Sequence, residues 1–217
     1  MTDLELPSAG LDPLELYAAA LDGTALFRRS ADGGLVPVPT RRWTGGLQPG
    51  DESLLDRCLG PTLDVGCGPG RLLEAFGRLA VPAMGVDLSP AAVRIARSRG
   101  GQAVTGSVFD EIPGAGDWAT ALLLDGNIGI GGDPAALLRR VRALLRPDGC
   151  AVVEVEPGGV ATTRTRVRLE DDDSVSDWFW WARVGLDGLP EVAADARMAI
   201  ADVRGIDGRW FAWLDGA

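Results

Sequence analysis

Between residues 51 and 157 the chain alternates short apolar runs with stretches whose apolar positions recur every three or four residues. These two periods distinguish strands from amphipathic helices. "DESLLDRCL" (51–59) predicts a helix and "TLDVG" (62–66) a strand. The next helix carries Leu72, Ala75, Phe76 and Leu79 on one face. "VPAMGVD" (81–87) is a second apolar run, closed by an acid. Ser89-Pro90 then offers a cap and a proline at the first helical position, and Gly100 a stop. "QAVTGSVF" (102–109) and "DWATALLLD" (117–125) predict further strands. Asp133-Pro134 opens a helix through Leu145, and "GCAVVEVEP" (149–157) is one more strand. Strands alternating with helices in this way imply βαβ units and a parallel, doubly wound α/β sheet.

The flanks read differently. Residues 1–50 hold one amphipathic stretch, Leu14 to Leu21, and then a Gly-, Pro- and Arg-rich segment ending at "RRWTGG". Such a segment cannot build its own core, so it is expected to fold back as an arm or lid on a domain spanning 51–217. "TRTRVRL" (163–169) alternates as an exposed antiparallel addition would. "ARMAIADVRGIDGRWFAWLD" (196–215) predicts two strands joined by a turn at Asp207-Gly208. The expected fold is a Rossmann-like, mostly parallel sheet finished by an antiparallel hairpin.

Composition narrows the chemistry. With 217 residues, 46% hydrophobic, the chain suits one globular domain with a small appendage. A net charge of -10 argues against nucleic acid or an anionic membrane surface as the partner. All 21 basic residues are arginine, and there is no histidine. That excludes Schiff-base chemistry, a Walker lysine, a histidine base and a His-ligated metal. The three cysteines, Cys58, Cys67 and Cys150, form neither a CxxC pair nor a disulfide framework. The first ten residues lack a basic, apolar signal pattern, and no apolar run approaches the ~18 residues of a membrane span. A cytoplasmic location is the expectation.

"TLDVGCGPGRL" (62–72) sets glycines at 66, 68 and 70 between a strand and a helix. Backbone without Cβ atoms turns tightly and approaches a ligand closely. A dinucleotide fingerprint counted from Gly66 needs a third glycine at position 71, where the chain has Arg71. Asp87, ending the following strand, lies where a ribose-binding carboxylate is placed.

At these residues the chain resembles a known family. "LDVGCGPGRL", "GVDLSPAAVRIAR", "GSVFDEIP" and "LLRRVRALLRPDGCAVVEV", in this order over about residues 52–156, are similar to the motifs of class I S-adenosylmethionine-dependent methyltransferases. The C-terminal hairpin also fits that family's antiparallel edge. The resemblance implies S-adenosyl-L-methionine as cofactor. Asp64 and the backbone of Gly66, Cys67 and Gly68 would hold its methionine moiety, Asp87 its ribose hydroxyls and Leu88 its adenine. The family's acid near the adenine amine falls here on Ser107-Val108, a departure. Asp125, Gly126 and Asn127 follow the fourth strand, where the family shapes the transfer site. The absence of an Asn-Pro-Pro-Tyr type motif disfavours adenine or glutamine N-methylation.

Methyl transfer asks the protein chiefly to align nucleophile and methyl group. Without histidine, the expected general bases are Asp125 and the single tyrosine, Tyr17. Tyr17 is equally a candidate cover for the cofactor. In the run Trp178-Phe179-Trp180-Trp181 the tryptophans Trp178 and Trp181, with Arg183, are candidate acceptor contacts for an apolar or aromatic molecule bearing an anionic group. Arg42 and Trp43 raise the same question, whereas Trp210, Phe211 and Trp213 are expected in the core. "EDDD" (170–173) is expected to be a solvated turn, with no metal site. The reading is a methyltransferase acting on an O- or N-nucleophile of a small molecule. Three others fit the residues: an NAD-dependent Rossmann-fold oxidoreductase, a non-catalytic S-adenosylmethionine-binding or regulatory protein, and a protein or RNA methyltransferase.

Overall fold

The computed structural model describes residues 10–58 and 60–216; expectations resting on residues 1–9, Leu59 and Ala217 lie outside the described residues. The described residues begin with α1 (Pro13–Leu21), β1 (Phe27–Ser30), β2 (Leu35–Pro37), α2 (Thr40–Thr44) and α3 (Asp51–Leu55). The alternating region follows as β3 (Thr62–Val65), α4 (Arg71–Arg78), β4 (Ala83–Asp87), α5 (Pro90–Ser98), β5 (Ala103–Thr105), β6 (Trp118–Leu123), α6 (Pro134–Leu144) and β7 (Leu145–Val155). Then come β8 (Thr163–Glu170), β9 (Phe179–Arg183), α7 (Leu189–Asp195), β10 (Met198–Ile206) and β11 (Arg209–Gly216).

Local chemistry starts the helices. Asp12, Ser89 and Asp133 accept from Leu14, Ala92 and Ala136 amides at 2.8, 3.3 and 2.9 Å, each ahead of a proline in the first turn. Among the described residues, seven strands form one sheet in the order β10-β11-β7-β6-β3-β4-β5. The five from β7 to β5 are parallel, and β11 and β10 add antiparallel at the edge. Alternate residues of a strand face opposite sides, so the sheet has two apolar faces. Leu63, Ala121 and Leu123 pack with α6 residues Leu137 and Val141. Leu122 meets Leu54, Leu72, Phe76 and Phe211 on the other side.

Several local expectations are corrected. The helix at 51–59 ends at Leu55. Leu79 falls beyond the end of α4 and is 55% exposed, while Leu73 is buried instead. The strand at 102–109 stops at Thr105, because the Ser107 hydroxyl accepts from the Phe109 amide and bends the chain. "TRTRVRL" does not extend the parallel sheet. It lies in β8, within a second sheet of order β2-β1-β8-β9, so the N-terminal residues 27–37 supply half of that sheet. No helix among the described residues is long and apolar enough to cross a membrane.

Candidate active site

The chain runs from β3 to β4 and β5 in one direction and from β6 to β7 in the other, which puts the switch point between β3 and β6. Ligand crevices of open α/β sheets form at such points, outside the carboxyl ends of the strands. A cavity of about 1110 Å³ lies there. Its floor is the glycine turn, Asp87-Leu88, Ser107-Val108, Asp125 to Ile128 and the end of β7; its roof comes from α1, α2 and the second sheet.

Each glycine of the turn answers a different demand. Gly66, Gly68 and Gly70 have φ of +71°, +52° and +78°, a region that disfavours a Cβ. A Cβ on Gly66 would lie 2.6 Å from the Asn127 amide nitrogen, which donates to the carbonyls of Val65 and Gly66 at 2.9 Å each. A Cβ on Gly70 would lie 2.6 Å from Ala96 of α5. Gly68 faces the cavity, where a Cβ would be 3.2 Å from the Tyr17 hydroxyl.

Asp87 accepts from the Gly68 amide through Oδ2 and the Ser89 amide through Oδ1, both at 2.8 Å. Burial raises its carboxyl above the usual range, and these two bonds pull it back. Leu88, Ser107, Val108 and Asp125 also line the cavity, as do the backbones around Gly66, Cys67 and Gly68. The Cys67 thiol itself is buried, and burial with the charges of Asp64 and Asp87 pushes it up, so it stays protonated. Asp64 departs from expectation. It is 3% exposed inside β3 and is not on the cavity wall, because the turn begins only after Val65. Burial pushes its carboxyl up to about 7, against the pull of Arg71.

Under the turn lies a network of alternating charges. Arg71 grips Asp51 through Nε at 3.0 Å and Nη2 at 3.3 Å, and Asp125 through Nη1 at 2.5 Å. Arg209 holds Glu154 through two bonds of 2.8 Å and Asp51 at 2.7 Å. Arg42 and Arg209 each come within 3.7 Å of Asp125. The Asp125 amide donates to Glu154 at 2.6 Å. Burial opposes the charge on Arg71, but Asp125 and Asp51 outweigh it and hold the guanidinium more firmly protonated. Burial likewise raises Asp51 and Glu154, and their arginines reverse the effect, keeping both carboxyls low.

The expected bases therefore change. Asp125 is on the cavity wall, but both its oxygens face arginines. Tyr17 sits at the cavity with its ring edge-on to Trp43, 6.0 Å between centroids. Burial, then the charges of Asp87 and Asp125, push its hydroxyl far above the usual value, so it remains a phenol.

Among the expected acceptor contacts, Trp181 and Arg183 line the cavity, and Trp178 does not. Trp178 precedes β9, and its ring packs instead against the Arg168 guanidinium, 5.0 Å away. Phe211 and Trp213 are core, but Trp210 is on the cavity wall. In 170–173, Glu170 pairs with Arg29 and Arg168, and Asp171 accepts the Asp173 and Ser174 amides. Arg28 and Glu156 also line the cavity and were missed. Glu156, just past the end of β7, was open to the same strand-end logic that picked out Asp87. Arg28 carries no such signal.

A family described as "Methyltransferase domain" matches residues 52–185. The "Ubiquinone biosynthesis O-methyltransferase" of Xanthomonas campestris pv. campestris (strain B100) is 35% identical over 96 residues, 40% of this chain. The match spans only 39% of that relative's length. A crystal structure of an S-adenosylmethionine-dependent methyltransferase from Bacteroides fragilis, in complex with S-adenosyl-L-homocysteine, covers 98% of both chains at a TM-score of 0.79 and 25% identity. The CcbJ methyltransferase from Streptomyces caelestis shares the fold, with a TM-score of 0.62 over 81% of this chain and 92% of its own at 16% identity.

Proposed function

This chain belongs to the class I S-adenosylmethionine-dependent methyltransferases, and on that premise we propose that it methylates an O- or N-nucleophile of a small molecule held in the 1110 Å³ cavity. S-adenosylmethionine, when bound, supplies a sulfonium-activated methyl group for in-line displacement. The residues present fit it. The bare Gly68 backbone leaves room at the cavity, and Asp87 keeps lone pairs for two ribose hydroxyls beyond its bonds to Gly68 and Ser89. Leu88, 52% exposed, and Val108 offer apolar faces for a purine. Tyr17 and Trp43, from the N-terminal segment, close the cavity against water and make that segment the lid.

Glu156 is the proton acceptor in this reading. Of the acids on the cavity wall, Asp12 caps α1, Asp87 holds two amides, and Asp125 and Glu154 hold arginines. The exposed Glu156 carboxylate has no such bond among the described residues, so its oxygens are free to take a proton from a hydroxyl acceptor. The arginine network holds Asp125 still and leaves the alignment of the acceptor to the walls.

The observation that carries the proposal is Asp87, pinned beside Gly68 at the cavity. Titration calorimetry with S-adenosylmethionine, S-adenosylhomocysteine and NAD tests it on the wild type and Asp87→Ala. Micromolar binding of the two sulfur ligands, weakened at least tenfold by the substitution, is expected. Binding of NAD alone would return the fold to the oxidoreductases.

A further inference from the structure

Arginines of the second sheet divide by face. In antiparallel pairs, directly opposed residues share a side. Arg164, Arg166 and Arg168 alternate with Thr163, Thr165, Val167 and Leu169 along β8. On the other face Arg164 lies 4.4 Å from the Trp180 ring, Arg168 stacks on Trp178, and Arg29 and Arg168 both bond Glu170, while Arg166 is exposed to solvent. The inner face is set by the register: Arg28 opposes Leu169, Phe179 opposes Val167, Trp181 opposes Thr165 and Arg183 opposes Thr163. Arg28, Arg183, Leu169, Phe179 and Trp181 all line the cavity.

Neither Arg28 nor Arg183 has a hydrogen-bond or ion-pair partner for its guanidinium among the described residues, unlike Arg42, Arg71 and Arg209 around the same cavity. Burial, then the charge of Arg183, depresses the Arg28 guanidinium, and Glu156 only partly offsets this. Arg28 is half-buried beside the exposed Arg183, and the Glu156 carboxylate offsets only part of their mutual repulsion. A guanidinium fork matches an oxyanion and gains most where water is excluded.

We propose that Arg28 and Arg183 form an oxyanion subsite, so that the acceptor is an apolar, ring-bearing molecule carrying a carboxylate or phosphate group. The ring lies along Leu169, Phe179 and Trp181, and the anion sits between the two guanidiniums. This rests on the cavity being the acceptor chamber of a methyltransferase.

The test is calorimetry on protein saturated with S-adenosylhomocysteine, using 2-naphthoate, 2-naphthyl phosphate and the neutral 2-naphthamide as matched probes. At least one anion is expected to bind tenfold or more tighter than the amide, and whichever is tighter identifies the oxyanion. Arg28→Gln and Arg183→Gln should each cut anion affinity at least fivefold, with the amide and S-adenosylhomocysteine unaffected, and Arg28→Lys should keep part of the preference. Should Arg28→Gln fail to fold, Arg183→Gln at its exposed position decides. Equal binding of anions and amide, or a preference surviving the double variant, overturns the subsite while leaving the methyltransferase reading intact. Failure of S-adenosylhomocysteine to bind the wild type overturns that reading instead.

Discussion

Arg71 Nη1 lies 2.5 Å from Asp125 Oδ2, joining the first residue of α4 to the loop that follows β6. The same guanidinium holds Asp51 at the start of α3. At the position where a dinucleotide fingerprint requires glycine, this chain places a fork that ties together the two sides of the switch point. Arg209 of the C-terminal hairpin joins in through Asp51 and Glu154. The loops around the cofactor turn are therefore held by charge as well as by packing.

Removing the fork should be expensive. Arg71→Met leaves the fully buried Asp51 and the Asp125 carboxylate with fewer cations. A loss of about 3–5 kcal/mol of unfolding free energy is expected, because one partner of a buried ion pair is stranded. Urea denaturation measures it, and Arg71→Lys should fall between the two. A loss below 1 kcal/mol would mean that solvent already screens the network.

Gly66→Ala would drive a methyl into the Asn127 amide, 2.6 Å away, at a φ of +71°. Loss of about 1–3 kcal/mol of stability from the strained backbone is expected, with S-adenosylhomocysteine affinity falling at least tenfold as Asn127 releases the turn. Gly126, whose added Cβ would meet no atom within 4 Å, is the control for crowding. Calorimetry on both alanine variants separates contact from backbone strain.

Tyr17→Phe and Glu156→Gln should part company. Tyr17 stays protonated across the working range, so its phenylalanine variant should keep kcat within about threefold and leave the pH profile unmoved. Glu156→Gln should lower kcat for a hydroxyl acceptor by about 10²- to 10⁴-fold, the usual weight of a general base, with cofactor affinity unchanged. A pH–rate profile reshaped by Tyr17→Phe would reverse the assignment.

Asp64 makes stability depend on pH. Its carboxyl rises from an ordinary 3.8 to about 7 in the fold. Between those values the folded chain keeps a proton that the unfolded chain has released. The contribution is complete below the lower value and is lost as pH rises through the upper one, at up to about 1.4 kcal/mol per unit. From pH 5 to pH 8 the wild type should therefore lose stability relative to Asp64→Asn in urea titrations. Parallel curves for the two proteins would refute a protonated Asp64.

Much of this site is written locally. Helix starts at Ser89 and Asp133, the glycine turn and the acid closing β4 depend on a few neighbouring residues, so period, caps and turn chemistry reveal them. That Gly66 and Gly70 make room for Asn127 and Ala96 is not visible in the turn, because those contacts come from other elements. Asp64 and Asp87 look alike as strand-end acids, yet only Asp87 reaches the cavity: Asp64 is followed by one more buried strand residue before the chain turns.

What the sequence by itself determined was the alternating framework and the nucleotide-type turn at its centre, since both are local. Only the tertiary structure decided the second sheet, in which Arg29 and Glu170 meet across 141 positions. It also decided which members of an aromatic run reach the chamber. Pairing of β9 with β8 brings Phe179 and Trp181 to the chamber, while Trp178, just before β9, packs on Arg168. Pairing of β1 with β8 likewise brings Arg28 to the chamber, and no local pattern carries that information.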